Sequence, residues 1–239
     1  MTGRAPFVRI EGSDAVINTG GKTTALPLSP LGPDLIDWFI QGRKAGYESL
    51  AQGKGPGSLF SRHLPVIATS GDEDFFPTRL ANKGVGFLPR GDRIEEQVKR
   101  YEALLARTVE QPAGESLRQR LEATAELFQG AGSMDPRVLG SLEIFAGGTY
   151  ENLLKRPFAS LLFTDPGHRY KSFQLDCAVQ IIDPPDPRFK FLQLARSIFE
   201  RDPFHVTQPG FHCAYLFWIL NIHDKTPYSM DEDRVRHRY

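Results

Sequence analysis

The stretch HCAYLFWILNIH at residues 212–223 is the most apolar in the chain, and no proline or glycine interrupts it. A short apolar run rich in aromatic and β-branched side chains reads as a strand. Its centre, Ala214 to Leu220, suits a core or an interface between two copies. Working outward, Phe189, Leu192, Leu194, Ala195, Ile198 and Phe199 predict an apolar helix after the hard stop Asp183-Pro184-Pro185-Asp186-Pro187. Before that stop, Tyr170 to Ile182 is a long apolar alternation, and 161–164 and 137–145 add two more strands. One short helix fits between Gly147 and Pro157.

The N-terminal half continues the pattern. In residues 7–11, Val8 and Ile10 face one way and Phe7, Arg9 and Glu11 the other; a Gly12-Ser13-Asp14 turn then leads into Ala15 to Thr19, predicting a hairpin. Asp34 can cap a helix bearing Leu35, Ile36, Phe39 and Ile40, which ends near Gly53-Lys54-Gly55-Pro56-Gly57. That glycine cluster lacks the Ser or Thr after Lys that a phosphate loop requires, so it reads as a connection. Leu64 to Ser70 and Thr78 to Leu88 predict a second hairpin around the acidic turn Gly71-Asp72-Glu73-Asp74. From Asp92 to Phe128 the residues Ile94, Val98, Tyr101, Leu104 and Leu105, then Leu117, Leu121 and Phe128, recur at helical spacing. Their charges alternate in sign, which predicts a helical hairpin with a solvated outer face.

Composition narrows the function classes. The chain has 239 residues with 29 Lys+Arg against 29 Asp+Glu. Zero net charge supplies no field for nucleic acid or an anionic membrane. No apolar run approaches the roughly 20 residues that span a bilayer. The first residues lack an apolar signal core, which predicts a cytoplasmic protein. Cys177 and Cys213, flanked by apolar or aromatic residues, read as reduced packing residues, and the six scattered His give no zinc pattern.

Strand, hairpin, strand, strand, short helix, strand, strand, helix, strand is the order of a small antiparallel barrel. Three segments carry a family likeness: Pro65 to Ser70 through Pro77 to Lys83; Gly147-Gly148-Thr149-Tyr150-Glu151-Asn152-Leu153 through Pro157 to Phe163; and Tyr170-Lys171-Ser172-Phe173-Gln174 to Ile182. Together, over about residues 64 to 183, they resemble the FMN-binding split β-barrel family typified by pyridoxamine 5'-phosphate oxidase. The resemblance implies an α+β fold: an antiparallel split β-barrel with peripheral helices and an inserted helical hairpin. Residues 1–239 would form one domain, with an N-terminal extension over 1–60 and the insertion over 91–133.

The resemblance also implies an FMN-dependent oxidoreductase acting on a small organic molecule, with NAD(P)H as a candidate reductant, as a homodimer. A flavin phosphate needs cations and hydroxyl or amide donors. Arg79 and Lys83 are the candidate cations, Gly148 and Thr149 the candidate helix N-terminus, and Lys171 and Ser172 further polar contacts. His168 and Tyr150 are candidate proton relays. Where oxidase members commonly carry a Ser-Arg-Lys run, this chain has Gly147-Gly148-Thr149, which argues against vitamin B6 oxidation itself. Alternatives from other classes are a flavin or haem carrier on the same barrel, with His205, His212 or His223 as haem ligand, and a cofactor-free enzyme using the barrel cavity. No metal site is expected.

Overall fold

The computed structural model describes residues 7–55, 57, 59–73, 75–127, 132–165, 170–198 and 210–227. Strands β1 (Phe7–Glu11), β2 (Asp14–Thr19) and β3 (Lys22–Pro27) form a three-stranded antiparallel sheet, one strand more than the hairpin expected. Helices α1 (Pro33–Ala51) and α2 (Leu59–His63) lead to β4 (Val66–Ser70), β5 (Thr78–Asn82) and β6 (Gly86–Pro89). Next come α3 (Ile94–Thr108), α4 (Ala113–Glu126), β7 (Met134–Glu143) and α5 (Gly148–Lys155). The chain continues through β8 (Phe158–Asp165), β9 (Lys171–Ile182), α6 (Pro187–Ile198) and β10 (Cys213–Asp224). Helix α1 starts from Gly32 with Pro33 in its first turn, so proline geometry opens it and Asp34 sits inside the turn without capping it.

The second sheet has seven strands in the order β5-β4-β8-β9-β10-β7-β6, every pair antiparallel. Its edge strands are consecutive in the chain. A flat sheet of this size would hold its edges about 29 Å apart. Residues 83–85, the whole link between β5 and β6, reach about 14 Å when extended. The sheet must therefore curl until its edges nearly meet. No ladder joins β5 to β6 among the described residues, so the barrel is split. The expected single strand from Thr78 to Leu88 is thus corrected to two strands with different partners, β4 for one and β7 for the other.

Strand β10 lies between β9 and β7 and is buried on both faces. Tyr215, Phe217 and Ile219 join a core with Ile67, Leu161 and Phe163 from β4 and β8 and Trp38 and Phe39 from α1. Ala214, Leu216 and Trp218 face a second core with Val8, Ile17, Tyr101 and Phe191. Two-sided burial explains why this strand is continuously apolar where an ordinary antiparallel strand alternates. The two inserted helices pack chiefly on other partners, α3 on α6 and α4 on α1. Both cysteines are free and buried. Burial pushes the Cys213 thiol up to about 12, with Glu143 adding to the effect, so it is inert at neutral pH.

One buried ion pair ties α2 to the barrel. Arg62 donates from Nη2 to Asp165 Oδ2 at 2.6 Å and from Nε to Trp38 O at 3.0 Å, with its guanidinium over the Trp38 ring. Gly42 makes room for it: a Cβ there would lie 1.7 Å from Arg62 Cδ.

Candidate functional site

The polar residues expected at a site gather where α5 meets the β4–β5 hairpin and the ends of β7 and β10. The approach is close because Gly71 faces α5 without a side chain, and a Cβ there would lie 2.6 Å from Asn152 Oδ1. Asn152 also donates to Thr69 Oγ1 at 3.2 Å, pinning the helix to β4. Helix α5 begins at Gly147, which offers no side-chain cap, so its first-turn amides keep their donor capacity at the positive end of the helix dipole. The preceding residue, Ala146, holds a left-handed φ of 47°, strained for a residue with a Cβ. Arg79 on β5 runs its stem past this turn, 3.6 Å from where a Gly148 Cβ would stand. Its guanidinium donates from Nη2 to both Glu73 oxygens, at 2.5 and 2.6 Å. This pair is exposed. Thr149 is buried.

Lys83 has a different setting. Gly86 pairs with Gly140, and continuing that register three residues sets Lys83 opposite Glu143 at the end of β7. Lys83 Nζ donates to Glu143 Oε2 at 2.7 Å, Tyr215 Oη donates to the same oxygen at 2.6 Å, and the Phe145 amide donates to Oε1 at 3.0 Å. Burial alone would raise the Glu143 carboxyl, but the Lys83, Tyr215 and Phe145 donors hold it below the usual carboxylate range. The same arrangement pushes the Tyr215 phenol well up, through burial first and then its bond to Glu143, so it stays protonated. Beside this cluster the Tyr150 ring meets His212 edge to face, with centroids 4.9 Å apart.

The structure thus brings together Arg79, Gly148, Thr149 and Tyr150, with Lys83 close by but committed to Glu143. It does not bring Lys171 and Ser172 to them. Arg79 stands level with residue 159 of β8, whereas Ser172 pairs with Thr164 at the other end of that strand. The separation is about 17 Å along the strands and about 14 Å across them. His168 and His205 lie outside the described residues. His223 sits at the far end of β10 from His212 and bonds Asp176 at 2.9 Å. Among the described residues no group of three or more His, Cys, Asp or Glu could hold a metal ion. Sequence reasoning missed Glu73, Glu143 and Tyr215. The first sits in the acidic turn after β4, and the others are revealed only by the pairing of β7 with β10.

No protein-family model matches the chain, and no curated protein matches it. Solved structures similar to it include HupZ of Group A Streptococcus, at 9% identity and TM-score 0.40, covering 79% of this chain and 95% of that one. A pyridoxamine 5'-phosphate oxidase-related, FMN binding protein of Nostoc punctiforme is similar at 11% identity and TM-score 0.41, covering 81% and 84%. An F420 reductase is similar at 13% identity and TM-score 0.37, covering 67% and 89%.

Proposed function

We propose that this chain binds FMN at the α5 rim and serves as an oxidoreductase for a small organic substrate. The observation that carries the reading is the Arg79 guanidinium beside the uncapped N-terminus of α5. A fork of N–H donors next to open helix amides is a donor set that fits a phosphate monoester. Arg79 would exchange Glu73 for the phosphate, and Gly148 and Thr149 would supply amides and a hydroxyl. Lys83 does not fit this role, because its ammonium already neutralises a buried carboxylate. Lys171 and Ser172 are too distant within one subunit.

When bound, FMN supplies hydride chemistry, which leaves orientation and proton handling to the protein. Tyr150 is the proposed proton relay, held edge-on to His212. Glu143 fixes Tyr215 and Lys83 beside it and stays ionised at neutral pH. Homodimerisation is part of the proposal: Leu80, Phe158 and Leu162 are exposed on the sheet around β5, β4 and β8, an apolar face that a second copy would cover.

A second reading, a carrier without turnover, is favoured by one observation. Cations around the rim are paired with acids: Arg79 with Glu73, Lys83 with Glu143, and Lys155 and Arg156 with Asp72. The visible spectrum separates the readings. The expected result is FMN uptake with bleaching by NADH or NADPH; uptake without reduction identifies the carrier, and a Soret band identifies haem. Arg79→Ala should weaken FMN binding about 10- to 100-fold, the worth of a charge-assisted hydrogen bond. Unchanged affinity would remove Arg79 from the phosphate site, and a colourless protein that takes up neither FMN nor haem defeats the reading altogether.

A further inference from the structure

A cavity of about 410 Å³, lined by neither Arg79, Gly148 and Thr149 nor Lys83, Glu143 and Tyr150, lies between the β6–β7 ladder and helices α1, α3, α4 and α6. Its origin is legible at Gly86. Gly86 and Gly140 are cross-strand partners that line it, but a Cβ on Gly140 would lie 2.8 Å from Leu192 Cδ2, so Leu192 fills the sheet surface there and the open space stands over Gly86. A Cβ built on Gly86 would meet nothing within 4 Å. Tyr101, Leu127, Phe191 and Phe211 supply much of the apolar wall, with the Tyr101 and Phe191 rings stacked at 5.4 Å. Protein interiors are close-packed, and a space of this size falls in the range of about 300–1,000 Å³ typical of ligand pockets.

The polar groups of this cavity are unbalanced in one direction. Arg43 lines it, and no aspartate or glutamate does among the described residues. Arg43 is 3% exposed, yet no carboxylate pairs with it among the described residues. Its Nη2 donates to the carbonyls of Arg62 and Val85 at 2.8 and 2.6 Å, its Nη1 lies 3.3 Å from His63 Nδ1, and the Tyr47 side chain also bonds it; only its Nε is buried without a partner. Tyr101, 1% exposed, also has a hydroxyl with no partner in hydrogen-bonding geometry. Burial pushes the Tyr101 phenol well above the ordinary range, so at neutral pH it remains a donor. A buried guanidinium is ordinarily matched by an anion. Here the apolar wall and the surplus of donors ask for a ligand that brings both an apolar body and a negative charge.

We propose that this cavity is a binding site for a small aromatic or aliphatic monocarboxylate, its body over Gly86 and its carboxylate on the Arg43 side. The site is independent of the FMN reading and would stand if that reading failed.

The test uses 2-naphthoate and its neutral methyl ester, titrated calorimetrically into the full-length protein. The acid should bind at least 10-fold more tightly than the ester. Gly86→Leu fills the space from a position with ordinary backbone geometry; it should reduce naphthoate affinity at least 30-fold while leaving the thermal midpoint unchanged or raised. Tyr101→Phe should weaken naphthoate several-fold. Absence of naphthoate binding, equal binding of acid and ester, or undiminished binding in folded Gly86→Leu overturns the proposal. Displacement of naphthoate by FMN would also overturn it, by assigning the cavity to the flavin; the acid–ester comparison in the unaltered protein stands whether or not either variant folds.

Discussion

The Arg62–Asp165 and Arg79–Glu73 pairs close at nearly the same distance, but the first leaves 5% of each side chain exposed and the second leaves 47% and 53%. Arg62 is enclosed by the Trp38 ring, the Trp38 carbonyl and the glycine gap at Gly42. Arg79 has solvent on one side and the open turn before α5 on the other. Desolvation makes the difference. A buried guanidinium cannot part from its carboxylate without stranding a charge, whereas an exposed one exchanges partners at little cost. The Lys83–Glu143 pair falls between them, with the acid fully enclosed and the lysine 16% exposed.

The comparison can be broken at its strongest point. Arg62→Ala leaves Asp165 buried and unpaired and should destabilise the fold by about 3–5 kcal/mol in chemical denaturation. Gly42→Ala, which thrusts a methyl into the Arg62 side chain, should act on the same pair. A loss under about 1 kcal/mol in both would mean that the Arg62 pair is as exchangeable as the exposed one.

Glu143→Gln tests the intermediate pair and should cost about 1–3 kcal/mol at neutral pH, the range for a buried hydrogen-bonding group deprived of charge-assisted partners. Its pH dependence has a definite sign. The folded-state carboxyl sits below its ordinary value of 4.5 because of Lys83, Tyr215 and the Phe145 amide, against the opposing pull of burial. The associated stability is complete above that ordinary value and is lost as the pH falls through the lower folded one. The gap between the unaltered protein and Glu143→Gln, followed by urea denaturation, should therefore narrow below about pH 4.5. A constant gap would show that Glu143 contributes by packing alone.

The exposed pair should show the smallest effect on folding. Arg79→Ala should change stability by no more than about 1 kcal/mol, even while it weakens FMN binding as proposed. Glu73→Gln sharpens the contrast further: with its competitor neutralised, Arg79 should hold FMN about two- to five-fold more tightly, in line with the worth of a surface ion pair. Weaker FMN binding in Glu73→Gln would make Glu73 part of the flavin site instead of its rival.

Much of the barrel was readable in advance because periodicity and turn chemistry are local. The alternation of Tyr170 to Ile182 and the proline stop after it placed β9 and α6 to within a few residues, and the interleaved charges of 92–128 marked α3 and α4. The site was less readable. Arg79, Gly148 and Thr149 converge because Gly71 admits α5 against β4, a contact across about eighty residues. Lys83 resembled Arg79 in sequence, both being cations of the same apparent strand. Splitting that strand sent one toward solvent and the other onto a carboxylate sixty residues away.

Composition, apolar period and the positions of proline and glycine determined which segments became strands and helices, since each depends on neighbours a few residues apart. Only tertiary structure decided that residues 78–88 divide between opposite edges of the sheet, that Lys171 and Ser172 lie far from Arg79, and that Gly86 faces a cavity beside a buried arginine that no carboxylate neutralises among the described residues. Strand order and register are long-range choices, and a shift of one residue in register would have turned these side chains to the opposite face.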